Sequence, residues 1–168
     1  MMKHIRKLYH CVCEGQQEEM YLAHVSRLLT DFPRRVVKFT TEQGSPWRLQ
    51  KSLRYKEYDL AALFDHDGNV TQFFEHIELC EKLGQKANRG KNPQRIYHAY
   101  SNMNFDLWLI LHKTEFAKPV SGTKDYVDTV RTVFSLDSRA DIKQERTLQR
   151  IVDQITLEDV RAAIRRAD

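Results

Sequence analysis

No stretch of this 168-residue chain approaches the run of about 18 apolar residues that a membrane-crossing helix requires. The basic start, with Arg6 and Lys7, leads into a short apolar run that Glu14 interrupts. That run is too short for the core of a secretion signal, so a cytoplasmic protein without membrane contact is expected. The nucleotide-binding pattern G-x-x-x-x-G-K-[ST] is also missing, which assigns any ATP hydrolysis to a partner. Cysteine is scarce: Cys11, Cys13 and Cys80 sit in apolar segments and lack the paired spacing of a zinc site, so buried reduced thiols are expected. Neither an internal repeat nor a low-complexity tract is present.

What remains is an ordinary globular composition, 41% hydrophobic and 30% charged, of a length that suits one core. The net charge of +4 is mildly basic, compatible with an anionic partner without identifying one.

Apolar runs alternate with helical patterns through the first hundred residues. Strands are expected at 8–13, 36–39, 58–64 and 95–99. Helices are expected at 17–30, where Tyr21, Val25, Leu28 and Leu29 share a face before Pro33, and at 47–55. A third, at 70–83, carries Phe73, Ile77 and Cys80 and stops near Gly84, and a polar loop with Asn88, Gly90 and Pro93 follows. This order implies a parallel, four-stranded sheet covered on both faces. Residues 105–111 read as a buried helix, and from 124 onward only helical periodicity remains.

Two of the apolar runs end abruptly in acid. Leu8–Cys13 stops at Glu14-Gly15, and Leu60–Phe64 stops at Asp65-His66-Asp67-Gly68. In one parallel sheet both ends lie at the carboxyl edge, where open α/β sheets bind ligands. Three carboxylates there repel one another unless a cation joins them, and oxygen donors suit Mg²⁺ or Mn²⁺. The competing account of Asp65–Gly68 is a plain surface turn. A calcium EF-hand loop starting at Asp65 fails, because it needs Gly at 70 and Glu at 76, where the chain has Val70 and His76.

Three segments carry a resemblance to a known family. Cys13-Glu14-Gly15-Gln16-Gln17-Glu18-Glu19-Met20-Tyr21 resembles the CEG-x-TE-x-x-Y opening of the RloB-like family, also called the abortive-infection AbiLii type. Phe64-Asp65-His66-Asp67 resembles its D-x-D strand end, and Ser101-Asn102 through Phe105-Asp106 to His112 resembles its SN-x-x-F-E-x-W-L-L-L-H signature. The resemblance implies a Toprim-like (Rossmann-like) three-layer domain over residues 1–112 with a helical extension over 113–168 packed on it. It also implies a Mg²⁺-dependent nuclease acting in antiviral defence beside an ATPase of the AAA or ABC type. Carried over by position, Glu14, Asp65 and Asp67 hold the metal, Glu18 and Asp106 join them as catalytic acids, and Ser101, Asn102 and His112 line the pocket. Gln17 stands where the family has Thr, and Asp106 where it has Glu. These departures favour a rival of another class, a metal- or nucleic-acid-binding regulatory subunit without turnover. Homo-oligomerisation stays open. A flavodoxin-like nucleotide site is disfavoured, because the first strand–helix turn is acidic and poor in Gly.

Each accessory residue also has a purely structural account. Asn102 could cap the helix that follows, and His112 at that helix end could serve only the helix dipole. Lys82, Lys86, Arg89, Lys91 and Arg95, read as a loop before the fourth strand, could be a solvated surface. The functional alternative is nucleic-acid binding by Lys86, Arg89, Lys91 and Arg95 as a phosphate-contact strip. Phe73, Phe74 and Trp108 fall on apolar stripes and are expected in the core.

Overall fold

The computed structural model describes residues 5–30, 35–89 and 91–167. The expected helix break at Pro33 and the loop glycine Gly90 lie outside the described residues. These residues divide after Tyr100 into two compact units.

The first unit is built on a four-stranded, all-parallel sheet of order β2-β1-β3-β4, with helices on both sides. Strand β1 (Ile5–Cys13) pairs along its full length with β2 (Arg35–Gln43), and its second half pairs with β3 (Asp59–His66). Cys11, Val12 and Cys13 are buried in succession, as a strand covered on both faces requires. Helix α1 (Gln16–Thr30) packs against β2 and β1. A 3₁₀ turn, Pro46–Arg48, runs into the one-turn helix α2 (Leu49–Ser52), which ends three residues before the expected end at 55.

Strand β3 alternates buried Leu60, Ala62 and Phe64 with half-buried neighbours, the period of two of a pleated strand. Val12 joins those three residues, Leu49, and Leu79, Cys80 and Leu83 of helix α3 (Val70–Ala87) in one core. The strand continues through Asp65 and His66, so of the acidic tetrad only Asp67 and Gly68 stand beyond it. Gly68 turns the chain at φ +95°, and Asn69 caps α3 by accepting the Gln72 N–H at 3.1 Å. Helix α3 runs past Gly84 instead of stopping there. Leu83 and Ala87 extend its buried stripe, which outweighs the roughly 1 kcal/mol that a mid-helix Gly costs. Strand β4 (Ile96–Asn102) forms the sheet edge, with Tyr97, His98, Ala99 and Tyr100 exposed.

All three cysteines are free and buried, and burial pushes the thiols up, Cys11 to about 12 and Cys80 to about 11.

The second unit is helical. Met103, at φ +67°, forms a tight turn in which the Asn104 N–H reaches the Asn102 carbonyl at 2.9 Å, ahead of α4 (Asp106–Lys113). Helix α4 packs on α5 (Thr123–Val133) and α7 (Leu157–Ala167), with α6 (Glu145–Val152) between them in sequence. Leu109, Ile110, Val130, Phe134, Ile151 and Ile155 are buried. Polar ties close the bundle: Lys113 Nζ donates to the Gln154 carbonyl at 2.7 Å and to Asp159 Oδ2 at 2.9 Å, and Arg166 Nη1 to the Leu111 carbonyl at 2.6 Å. Ile151 is fully buried on α6. Ile151→Ala is expected to lower stability by about 2–5 kcal/mol in urea unfolding, through lost burial and the cavity left behind.

Candidate functional site

Glu14 follows the last residue of β1, and the backbone N–H of Asp65, near the end of β3, donates to its carboxylate. That bond joins the two strand ends. Glu14 is exposed overall, but its carboxyl is held above its ordinary range, first by partial desolvation at the edge and then by the like charges of Glu18 and Asp67, while the Asp65 N–H pulls the other way. Glu18 lies in the first turn of α1 and is buried, its Oε2 3.4 Å from the point where a Cβ on Gly15 would stand. Asp65 is half-buried and Asp67 exposed, and Asp67 Oδ1 accepts the Asn69 N–H at 3.3 Å. Asp67 therefore also shapes the turn into α3, as the structural account supposes.

The structure thus brings Glu14, Glu18, Asp65 and Asp67 to one carboxyl edge. Their chemistry fits a hard divalent cation, since the like charges that raise the proton affinity of Glu14 are what such an ion neutralises. The side chains are not closed around a common point: among the described residues, no three His, Cys, Asp or Glu side chains are arranged to hold a metal.

One neighbour was not legible in the sequence. His76 is 3% exposed, its Nε2 has no hydrogen-bond partner among the described residues, and its ring meets Phe64 edge-on at 5.3 Å. Burial holds its pKa down, while the charges of Glu75 and Asp67 oppose that shift. Its position on the α3 stripe, one residue from Ile77, disguises it as core.

Only part of the expected basic strip lies in the loop before β4. Lys82 and Lys86 belong to α3 and not to a loop, and Lys82 pairs with Glu78 at 2.8 Å. The Arg95 N–H donates to Asp59 Oδ1 at 2.9 Å, and the Leu60 N–H to the Arg95 carbonyl at 2.8 Å, which fixes Arg95 at the amino end of β3. Asp59 and Asp65 are six strand residues apart, about 20 Å at ~3.3 Å per residue. Lys86, in the last turn of α3, and Arg89, Lys91 and Arg95 are exposed, but Arg95 marks an edge opposite the acids. The physical reason is topology: α3 returns antiparallel to β3, so its C-terminus must end at the amino edge.

Among the aromatics, Phe73 is half-buried, 4.7 Å from His66 and 4.8 Å from Tyr100 between ring centres. Phe74 is 61% exposed, contrary to its assignment to the core, because the α3 stripe turns inward only at His76, Leu79 and Cys80. Trp108 is half-buried.

Ser101, Asn102, Asp106 and His112 belong to the second unit. Ser101 is half-buried and Asn102 exposed. Asp106 is fully buried, and Lys143 Nζ reaches its Oδ1 at 3.2 Å. Asn104, not Asn102, serves the helix start, accepting the Asp106 N–H at 3.0 Å. His112 is 1% exposed, its Nδ1 stands 2.8 Å from the Trp108 carbonyl, and burial pushes its pKa down to about 4. It is therefore neutral at pH 7 and carries no charge to complement the helix dipole. A cavity of about 510 Å³, lined by Glu115, Phe116, Ala117, Ala162, Arg165 and Arg166, holds none of the expected site residues.

Two expectations follow. With its folded pKa raised, Glu14 binds its proton more tightly in the folded state, so its contribution falls as pH rises through the carboxylate range. Glu14→Gln keeps an acceptor for the Asp65 N–H and, without added metal, should melt at or above wild type at pH 7, the gap closing below about pH 4. A fall of several degrees at pH 7 would make the carboxylate structural. His112 has the opposite sign: its depressed pKa contributes stability above about pH 6.5, lost as pH falls toward 4. That loss is on the order of 3 kcal/mol, and urea unfolding from pH 7 to 4 should show His112→Asn lacking it.

Residues 9–168 match the family model described as RloB-like protein. No curated protein and no solved structure matches the chain.

Proposed function

Because the chain belongs to the RloB-like family, we propose that it is a Mg²⁺- or Mn²⁺-dependent, Toprim-like nuclease that hydrolyses phosphodiester bonds of DNA or RNA in antiviral defence. The observation that carries this is the edge where the Asp65 N–H meets the Glu14 carboxylate, with Glu18 and Asp67 near enough to raise its proton affinity. Glu14, Asp65 and Asp67 would hold the cation, which supplies charge neutralisation at a phosphate and a more acidic bound water. Glu14 would complete that coordination or, left outside it, move a proton as general acid or base. Glu18, buried behind Gly15, fixes the negative field in which Glu14 titrates.

The family resemblance implies an ATPase partner of the AAA or ABC type for nucleotide-driven control, since the chain itself carries no phosphate-binding loop for ATP. Among the described residues no helix is long and apolar enough to cross a membrane.

A second reading, a regulatory subunit that binds metal or nucleic acid without turnover, is favoured by two observations. The acids are not arranged around a common metal position, and Asp106 is engaged by Lys143 within its own unit. Labelled single- and double-stranded DNA and RNA incubated with Mg²⁺ or Mn²⁺ separate the two. Under the nuclease reading, wild type cleaves, and Asp65→Asn, Asp67→Asn and Glu14→Gln each lower turnover about 100-fold or more. Binding without cleavage, equal in wild type and variants, would establish the regulatory reading instead.

A further inference from the structure

The acidic edge creates a problem for the proposed substrate. Glu14, Glu18 and Asp67 repel a polyanion, and the basic cluster marked by Arg95 stands at the other end of β3. Binding a polyanion there calls for a cationic side chain at the same edge.

The turn that follows β2 supplies one. The Gly44 N–H donates to the Cys13 carbonyl at 2.8 Å, which fixes this turn beside the residue that precedes Glu14. Gln43 Nε2 donates to Glu19 Oε2 at 2.6 Å, tying the end of β2 to the first turn of α1. Gly44 is at φ +149°, and a Cβ there would lie 2.2 Å from Arg48 Nε and 2.4 Å from Arg48 Cδ. The Arg48 side chain therefore lies flat on the glycine, in space that any other residue would fill. Glu42 engages its Nη1. Among the described residues that is its one side-chain hydrogen bond, which leaves Nε and Nη2 as donors. Beside it, Trp47 is 50% exposed.

An exposed Arg–Glu pair alone is ordinary and stabilises little. It does not explain why a left-handed glycine clears a bed for the guanidinium, nor why an indole next to it stays in water. A guanidinium fork matches two phosphate oxygens, and an exposed indole offers a stacking face to a base.

We infer that the Gly44–Arg48 turn is the substrate arm of this edge: Arg48 binds a phosphate beside the acids and Trp47 stacks on an adjacent unpaired base, so that the substrate is single-stranded. This rests on the nuclease reading and specifies its substrate.

The test measures binding of fluorescein-labelled 12-nucleotide single strands of DNA and RNA, and of the matching duplexes, with Ca²⁺ present, and cleavage with Mg²⁺. Lys51, exposed on α2, provides a control of equal charge change. Arg48→Gln should weaken single-strand binding about 10-fold, as loss of a charge-assisted bidentate contact does, while Lys51→Gln changes it less than about 2-fold. Trp47→Ala should weaken the single strand by about 10-fold, within the ~1–3 kcal/mol of one stacked base, and leave duplex binding unchanged. Gly44→Ala, which displaces Arg48 without removing charge, should reproduce the Arg48→Gln loss in protein whose melting confirms folding. Equal effects of Arg48→Gln and Lys51→Gln, or a neutral Trp47→Ala, overturn the inference and leave the nuclease reading standing. A wild-type protein that neither binds nor cleaves any of these nucleic acids overturns both.

Discussion

One hydrogen bond organises the candidate site, that from the Asp65 backbone N–H to the Glu14 carboxylate. It spans two strands that are adjacent in the sheet but about fifty residues apart in sequence, and it exists because β1 and β3 are parallel and in register through Cys13 and Leu63. The register brings the residue after β1 level with the last residues of β3. A one-residue slip would move Leu60, Ala62 and Phe64 out of the core. The burial that fixes the fold therefore also fixes the meeting of the acids. The edge holds charge at unfavourable separation because the apolar strands beneath it leave no other arrangement.

The second unit uses charge differently. Asp106 is buried and met by Lys143, while Lys113 and Arg166 reach across the bundle to backbone carbonyls. His112 remains neutral in its interior. Here polar groups act as fasteners between helices, each compensated inside the unit. The acids at the sheet edge, by contrast, raise one another's energy. The same residue types thus divide between cohesion in one unit and stored repulsion in the other.

Much of this was legible in the residues. Strands of seven to nine residues announce themselves through their apolar runs, and the parallel order follows from their alternation with helical stripes. The family assignment extends over residues 9–168, well beyond the motifs that suggested it. Less legible was anything set by which end of an element faces which edge. Lys86 and Arg95 read as one strip in a list of residues, but the antiparallel return of α3 carries them away from Asp65 and Asp67. His76 was masked by its apolar neighbours, and Phe74 by a stripe whose inward face begins two residues later. Arg48 could not be singled out either, because its bed is defined by the φ of Gly44, which a sequence does not print.

The buried thiols carry a practical consequence. Cys11, Cys13 and Cys80 are enclosed in the sheet and α3 and held protonated far above neutral pH. A protonated, enclosed sulfur is a poor nucleophile, so the folded chain is expected to react slowly with alkylating reagents and mild oxidants. Its own cysteines need not be removed before a new one is placed on the surface, and a spin label or fluorophore attached there would report from a single address. Conversely, reaction of the native thiols would report that the sheet itself had opened.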